Sequence, residues 1–347
     1  MKIKFIYMLT LAFLAFSCES GENVFEDFDT QAVYFPIQYP VRTISLLEDS
    51  RVDNSIDLQK SFNIGVAIGG LRENRANRKV SIAVAPDLVK NAFIGSGTTA
   101  KAVVLMPSNY YTLASNEIII PAGSFSGTVK VQLTDAFFAD PLATVTTYVI
   151  PLVITSSSDN ILSGKPVPGM ANPDRRIAAN WEPGFTPKDF TMFAVKYINK
   201  FQGKYLVKGK DETLNATGGV ATTDVYNTKF IEQNKLTDLF TLGLTKSTVN
   251  ALGKFGGSAT TKMEITVADN GDVTVSSAVG AYSTTGSGKF IKRGEPGAQV
   301  WGGESRKTLI LNYTYVAPTN INHRVSDTLV FRNDELKYED YVISVVK

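Results

Sequence analysis

Two-residue alternation of apolar and polar side chains is the feature that most limits what this chain can fold into. In "SFNIGVAI" every second residue from Phe62 to Ile68 is large and apolar, and "KVSIAVAP" repeats the pattern from Val80. Strands of this kind carry their apolar side chains on one face and bury that face against a second layer. Similar runs, rich in Val, Ile, Thr and Tyr and separated by Gly, Asn, Asp, Pro and Ser, continue along the chain. The sequence therefore predicts an all-β protein.

The alternating runs fall into two groups. Residues 30–157 are predicted to form an immunoglobulin-like β-sandwich, because their one-sided strands need two sheets packed face to face. Residues 158–186 begin "SDNILSGKPVPG" and lose the alternation, so they are predicted to be a linker. Residues 187–347 offer roughly seven to nine antiparallel strands and are predicted to form a lipocalin-like β-barrel. A jelly-roll or concanavalin-like sandwich is the alternative architecture for this second domain.

Convincing helices are scarce. The best candidate is "FIEQNKLTDLFTLG" (230–243), in which Leu236, Leu239 and Phe240 lie near helical spacing. Gly243 would end that helix.

One hairpin can be predicted in detail from "MEITVADNGDVTV". A two-residue turn at Asn270 and Gly271 would put the apolar residues of the two strands on opposite faces. A three-residue loop instead pairs Val267 with Val273, which keeps the apolar residues together. Because burial fixes register, we predict the three-residue loop, with Gly271 in the left-handed conformation.

The first 29 residues carry an export pattern. Lys2 and Lys4 precede an apolar run to Phe16 that is shorter than the roughly 20 residues of a membrane-spanning helix, which predicts a signal peptide over residues 1–17. Cys18 follows in "LAFSC", which resembles the lipobox at which bacterial lipoproteins are cleaved and acylated. An ordinary signal peptide that leaves a free thiol is the alternative, but a secreted protein rarely keeps an unpaired exposed cysteine. Residues 18–29 are rich in Glu and Asp and are predicted to be a flexible acidic tether.

Charge and cysteine content restrict the partners. The 347 residues contain 35 Lys and Arg against 33 Asp and Glu, so loss of Lys2 and Lys4 with the signal leaves 33 against 33. A neutral protein has no long-range field for phosphate backbones, so nucleic acid is not expected as a partner. Cys18 is the only cysteine, so both domains must fold without disulfides, and the lipid on Cys18 would be the membrane attachment.

Catalytic and metal-binding patterns are weak. His323 is the only histidine, and without a nucleophile elbow near it we interpret it as an exposed loop residue rather than part of a triad. One histidine and an acylated cysteine leave no set of ligands for zinc or copper, and no cofactor is predicted. Carboxylates such as Asp269 and Asp272 lie in turn-like contexts, which argues against a paired-carboxylate glycosidase. Calcium binding by loop oxygens has no required signature and stays open.

Aromatic side chains are the remaining candidates for a binding site. Sugars pack their C–H faces on aromatic rings, and Trp301 is flanked by Gly302 and Gly303, which would leave its ring open. Trp181 lies in the linker, where it could present a ring between the domains. Burial as a core filler or interdomain wedge is the alternative for both, since large aromatics gain most from burial. Tyr282 and Tyr226 are further candidates on the same argument.

Several blocks resemble a known group of proteins. "AVYFP" (32–36), "YYTLASNEIIIPAG" (110–123) and "YVIPLVITSSS" (148–158) resemble an N-terminal domain common in Bacteroidetes surface lipoproteins. "FQGKYLVKG" (201–209), Trp301 and "SDTLVFRND" (326–334) resemble its usual C-terminal companion. The resemblance implies an immunoglobulin-like domain followed by a lipocalin-like one. It also implies a gene within a polysaccharide utilisation locus beside SusC- and SusD-like transport proteins, with a role like that of SusE and SusF.

The combined expectation is a non-catalytic lipoprotein of the outer membrane that faces outward and binds a polysaccharide or oligosaccharide. SusC- and SusD-like proteins would be its partners. An adhesin or fimbrial anchor, whose sandwich edge accepts a donated strand, is the first alternative. A carboxylate-dependent glycoside hydrolase is the second and less favoured one.

Overall fold

The computed structural model describes residue 28 and residues 30–48, 52–95 and 97–346. The strands up to residue 198 are β1 (Ala32–Tyr34), β2 (Pro40–Ser45), β3 (Ser61–Gly69), β4 (Arg78–Val84), β5 (Ala92–Ile94), β6 (Lys101–Ala102), β7 (Val104–Leu105), β8 (Tyr111–Leu113), β9 (Glu117–Ile120), β10 (Ser126–Leu133), β11 (Tyr148–Ser157), β12 (Asn160–Ile161) and β13 (Phe190–Ile198). The later strands are β14 (Gly203–Leu214), β15 (Val220–Tyr226), β16 (Lys235–Thr241), β17 (Lys246–Val249), β18 (Ala251–Leu252), β19 (Phe255–Gly256), β20 (Met263–Val267), β21 (Asp272–Ser277), β22 (Thr284–Ile291), β23 (Gln299–Trp301), β24 (Glu304–Arg306), β25 (Thr308–Ala317), β26 (Ile321–Asn333), β27 (Glu339–Asp340) and β28 (Ile343–Val345).

Helical structure is limited to short turns in the part of the chain that the structure describes. The α-helices are α1 (Ser55–Leu58) and α2 (Asp135–Ala139), and the 3₁₀ turns are Pro86–Val89, Gly97–Thr99, Pro141–Thr144, Ala178–Asn180, Ile231–Gln233 and Pro318–Asn320. None of these helices has the length and apolar character needed to cross a bilayer. The predicted all-β class is confirmed.

Two sheets form the N-terminal sandwich. One has the strand order β12-β1-β3-β10-β8, and the other has the order β27-β2-β13-β11-β4-β9 with β7 paired to β11. The predicted inward face of β3, from Phe62 to Ile68, is at most 3 % exposed, and it packs in one core with Val80 and Ile82 of β4. Val84, in phase with them, is 37 % exposed at the end of its strand.

The strand β13 lies within the range 187–347 that the sequence suggests for the barrel, but it pairs in the sandwich. Its neighbours are β11 on one side, antiparallel, and β2 on the other, parallel. Both faces of β13 are mostly buried, as suits a strand inside a sheet covered on both sides. The C-terminal β27 and β28 also return to this region, where they pair with β2 and β5. The chain thus crosses between the two sheet systems after Ile198 and again after Asn333.

The second half forms a closed antiparallel barrel of eight strands, in the order β14-β16-β17-β20-β21-β22-β25-β26, with β14 pairing β26 to close it. The far half of β14 also carries β15 as an extra edge strand. The predicted hairpin is confirmed: Val267 pairs with Val273 and Ile265 with Val275 across a three-residue loop. Gly271 has φ +86° there, the left-handed conformation that this loop requires.

The predicted helix over residues 230–243 is wrong. The segment forms a 3₁₀ turn and then β16, in which Thr237, Leu239 and Thr241 point inward while Leu236 and Phe240 are 44 % and 50 % exposed. Over so short a run the apolar spacing fits both the 3.6-residue period of a helix and the two-residue period of a strand. Pairing with β14 and β17 stabilises the strand.

The predicted signal peptide and the lipid attachment residue Cys18 lie outside the described residues. So does the acidic tether apart from Phe28. The signal peptide, the lipid on Cys18 and the tether stay predictions.

Candidate functional site

Trp181 packs within the predicted linker. Its side chain is 9 % exposed, and its indole Nε1 donates to the carbonyl of Asp174 at 3.2 Å. A Cβ at Gly164 would lie 2.8 Å from the ring, so the linker folds closely around the indole. The ring offers little free surface to a sugar.

Trp301 ends strand β23 at the tip of the β23–β24 hairpin, and it is half-buried. Its indole Nε1 donates to the carbonyl of Phe331 at 2.9 Å, and the guanidinium of Arg306 lies 4.6 Å from its ring centroid. Gly302 and Gly303 have positive φ angles in the turn. The open space expected beside these glycines is present, but Arg306 occupies one face of the ring.

Tyr226 and Tyr282 both pack on the barrel core as half-buried side chains. The Tyr226 hydroxyl donates to Asp327, and the ammonium of Lys235 lies 4.4 Å from the Tyr226 ring centroid. The backbone amide of Tyr282 donates to the carbonyl of Thr260 at 3.0 Å. The four aromatics predicted from the sequence therefore do not converge on one surface.

His323 was expected to be an exposed loop residue, and this prediction is wrong. It lies on β26, is 4 % exposed, and stacks on the ring of Tyr315 with centroids 4.3 Å apart. Its Nδ1 lies 2.7 Å from Asp211 Oδ1, and the Tyr315 hydroxyl donates to Asp211 Oδ2 at 2.7 Å. Asp211 is completely buried, so these two partners and the amide of Lys254 at 3.1 Å satisfy it inside the barrel.

A second buried carboxylate, Asp327, lies on the same inward face of β26. The hydroxyl of Tyr313 donates to it at 2.8 Å, and Tyr226 donates to its other oxygen. Burial raises the pKa of the Asp327 carboxyl to about 6, although these hydrogen bonds and the charge of Lys235 favour the ionised form. Burial likewise lowers the pKa of Lys235, while Asp327 and Asp211 oppose that shift.

The short hairpin of β18 and β19 lies over this polar interior. The Gly253 amide donates to the Tyr313 hydroxyl at 2.7 Å, and Lys235 donates to the Gly253 carbonyl. A side chain at Gly253 would place its Cβ 2.3 Å from Asp211 Oδ2. The carboxylates of the interior are thus engaged by side chains and by this hairpin, which fits a structural network holding the barrel end closed. Among the described residues, no group of three His, Cys, Asp or Glu side chains is placed to hold a metal ion.

The first cavity of interest, the linker cleft, has a volume of about 440 Å³ and lies where the linker, β13 and the C-terminal segment meet. Tyr39 stands in it, edge-to-face with Phe190 at 5.9 Å and with Tyr341 at 5.8 Å. Besides the hydroxyl groups of Tyr39, Thr186 and Tyr341, the hydrogen-bonding side chains that line the cleft are Gln38, Arg175, Arg176 and Asp340.

Buried contacts fix the wall of the linker cleft. Arg176 pairs with Asp174 at 2.6 Å and donates to the carbonyls of Leu88 and Lys90 at 2.8 and 2.7 Å. Arg175 is held by Asp189 at 2.9 Å. Burial raises the pKa of the Tyr39 phenol, while the nearby Arg176 opposes this shift. Within the described residues the Tyr39 hydroxyl makes no hydrogen bond, so a ligand can bond to it.

A second cavity, the sandwich cleft, has a volume of about 550 Å³ and shares Pro36 and Ile37 with the linker cleft. Its walls are mostly apolar, with Phe193 inside and Tyr338, 69 % exposed, among its lining. The ion pair of Arg42 and Asp57 is among its lining. The shared residues place the two cavities side by side on the sandwich.

The linker cleft could not be found from the sequence. Its residues come from three segments, around positions 36–39, 175–190 and 340–343, and only the pairing of β2 with β13 and β27 brings them together. The run of linker charges at Asp174, Arg175 and Arg176 is the one signal that the sequence offers, since a few charged groups beside apolar walls suit a polar ligand.

Comparisons with known proteins agree with this architecture. A family model described as a domain of unknown function, DUF5627, matches residues 200–335, and a model described as an N-terminal domain matches residues 28–161. No curated protein matches the chain. A solved Bacteroides ovatus protein of unknown function is 34 % identical, with 92 % of this chain and 100 % of that chain covered and a TM-score of 0.82.

Two further Bacteroides ovatus structures are more distant. One, of unknown function, is 12 % identical with a TM-score of 0.46, covering 90 % of this chain and 99 % of that one. The other, a multidomain protein including DUF1735, is 12 % identical with a TM-score of 0.41, covering 89 % and 99 %. Neither likeness is strong enough to inform the site. With 34 % identity over 92 % of its length, the chain belongs to the same family as the first of these Bacteroides ovatus proteins of unknown function.

Proposed function

We propose that the protein captures glycan without catalysis at the outer surface of the cell, anchored by a lipid on Cys18. The linker cleft is the observation that carries the proposal. It combines an aromatic cluster around Tyr39 with two arginines, an amide and a carboxylate, in a volume of about 440 Å³. Ligand sites of this size pair apolar walls with a few convergent polar groups.

The chemistry of a sugar matches this lining. The C–H face of a pyranose packs on a ring such as that of Tyr39, while its hydroxyls donate to Asp340 and accept from Arg175 and Gln38. Arg175 is positioned by its ion pair with Asp189, which reduces the entropy lost on binding. The neighbouring sandwich cleft, joined through Pro36 and Ile37, would let a longer chain continue past one sugar.

The absence of catalysis is part of the proposal. The two carboxylates of the polar barrel interior, Asp211 and Asp327, are bonded to tyrosines, to His323 and to the hairpin amide of Lys254. A glycosidase needs two carboxylates flanking the scissile bond with room for water or a nucleophilic attack. An incubation that releases reducing ends in proportion to time would contradict this.

Affinity electrophoresis against xylan, galactan, arabinan, mannan and amylopectin tests the binding. We expect retention by at least one polysaccharide, and a loss of at least about fivefold in affinity for the double variant Tyr39→Phe/Asp340→Ala, which removes two hydrogen-bonding groups. Both changes spare the packing of the aromatic cluster, so the melting temperature should stay within a few degrees of the wild type.

Matched variants locate the site. Tyr338→Ala changes the sandwich cleft alone, and Trp301→Ala changes the barrel hairpin alone. If Trp301→Ala abolishes binding while Tyr39→Phe/Asp340→Ala binds as tightly as the wild type, the sugar lies on the barrel. That result would contradict the linker cleft as the binding site.

The surface location and the partners are proposals as well. Labelling of intact cells with an impermeant reagent should reach the protein, and co-purification should recover SusC- and SusD-like proteins. A protein that is labelled only after lysis, or a fimbrial subunit recovered in place of a transporter, would contradict the proposal.

A further inference from the structure

A third cavity, the junction cavity, has a volume of about 260 Å³ and lies where the sandwich meets the barrel. Its lining residues are Glu48, Lys200, Phe290, Lys292, Arg293 and Lys307. Glu48 follows strand β2 of the sandwich, and Lys200 lies in the crossing between β13 and β14. Basic side chains outnumber carboxylates in this lining by four to one.

Three of the four cations that line the cavity, Lys200, Lys292 and Arg293, are at least partly exposed and reachable by a ligand. Lys200 Nζ lies 3.7 Å from Glu48 Oε1, longer than a hydrogen bond, and the two side chains are 33 % and 50 % exposed. An exposed ion pair of this kind contributes little to stability, so an incoming anion can displace it at small cost. Arg293 lies 3.2 Å from Glu304, with both side chains half exposed. Among the described residues, the ammonium of Lys292 makes no ion pair.

The floor of the cavity is rigid. Phe290 is 5 % exposed and packs edge-to-face on Phe201 at 4.9 Å. Lys307 is 3 % exposed, donates to the carbonyl of Lys200 at 2.9 Å, and lies 4.0 Å from the ring centroid of Phe331. The donation to its carbonyl fixes the backbone that carries Lys200, so the side chain starts from a defined position.

We propose that the junction cavity binds an anionic group, a carboxylate or a sulfate, of the kind that acidic sugars carry. The excess of cations attracts an anion in a protein whose overall charge is otherwise near neutral. Guanidinium and ammonium groups are the usual partners of such oxyanions. The volume is below the range of about 300–1,000 Å³ typical of sites that enclose a drug-sized ligand. The cavity therefore fits a single acidic sugar unit and not a longer polysaccharide segment. The inference rests on the proposed function only for the claim that a sugar carries the anion.

Calorimetric titration at low salt with sodium glucuronate and sodium sulfate, and with glucose as the neutral probe, tests the site. We expect both anions to bind and glucose not to bind here. The double variant Lys200→Gln/Lys292→Gln should weaken the anions at least tenfold, while Lys200→Arg should stay within threefold of wild type. Lys289→Gln is the matched control, because Lys289 is on the same strand as Phe290 but bonds to Asp272 and Asn270 outside the cavity. It should change the affinity less than twofold.

The outcomes separate clearly. Failure of both anions to bind the wild type, or an equal loss in Lys289→Gln, would overturn the proposal and indicate no specific site. Glucuronate but not sulfate binding, or the reverse, supports the site and selects the anion. Loss of neutral polysaccharide binding in the Tyr39→Phe/Asp340→Ala variant with anion binding unchanged shows that the two sites are independent. Folding of each variant is checked by its melting temperature.

Discussion

Asp327 gives the sharpest prediction about stability. Its pKa is raised to about 6 by burial in the folded protein, whereas an unfolded Asp titrates near 3.9. Between about pH 4 and pH 6 the folded state therefore keeps a proton that the unfolded state has lost. Stability from this group is fully present below about pH 4 and is lost as the pH rises through 6. The difference of about two pKa units corresponds to about 3 kcal/mol.

Asp327→Asn removes this titration and keeps the size of the side chain. The free energy of unfolding of the wild type minus that of Asp327→Asn should fall by about 3 kcal/mol from pH 4 to pH 7 and be flat above. Urea denaturation at four pH values measures it, with fluorescence of Trp301 in a Trp181→Phe background to follow the barrel. Titrating groups that do not interact with Asp327 are common to both proteins and cancel in the difference.

Asp272→Asn is the control with the opposite sign. Hydrogen bonds from Lys289 and Asn270 lower the pKa of this exposed carboxyl, so its stabilising effect is present at neutral pH and lost as the pH falls. A difference for Asp327→Asn that is independent of pH, or that grows as the pH rises, would refute the assignment of Asp327 as a buried group that burial keeps protonated.

Three further predictions concern separate parts of the molecule. Gly253→Ala should lower the free energy of unfolding by at least about 2 kcal/mol, because Gly253 has φ +54° and an added Cβ would meet Asp211. Gly256 has open space around it, so Gly256→Ala should change the free energy of unfolding little. Equal effects of the two variants in urea denaturation would contradict this prediction. Arg176→Ala should make residues 158–186 susceptible to limited proteolysis, since it removes the bonds to the sandwich; an unchanged cleavage pattern would show that other contacts hold the linker. Cys18→Ser should move the protein from the membrane fraction to the soluble fraction. If the variant stays in the membrane fraction, the lipid anchor is refuted.

Local sequence patterns predict the features that depend on residues close together in the chain, such as the buried face of a strand and the register of a hairpin. The inward face of β3 and the register of the hairpin at Gly271 follow from alternation and turn geometry. The same alternation placed His323 in phase with Val325 and Asp327 on β26, so its burial was available from the sequence. A histidine between Asn322 and Arg324 is nevertheless more typical of a loop, and this local context predicts exposure. The partner that accounts for His323 is Asp211, more than one hundred residues away, and no local pattern indicates it.

The linker cleft and the junction cavity depend on contacts between segments that are far apart in the sequence. The linker cleft needs β27, the linker and the start of β13 at one place, and the junction cavity needs Glu48 to meet the barrel. Such contacts follow from topology, which composition and periodicity do not determine. The aromatics proposed from the sequence, Trp181 and Trp301, turned out to be packed against their own surroundings.

A crystal structure of the mature protein with an oligosaccharide prepared from whichever polysaccharide retains it tests the central claim most directly. We predict a sugar ring against Tyr39, with hydroxyls bonded to Arg175 and Asp340. Sugar bound elsewhere while the linker cleft stays empty, or no polysaccharide retained at all, would contradict the account.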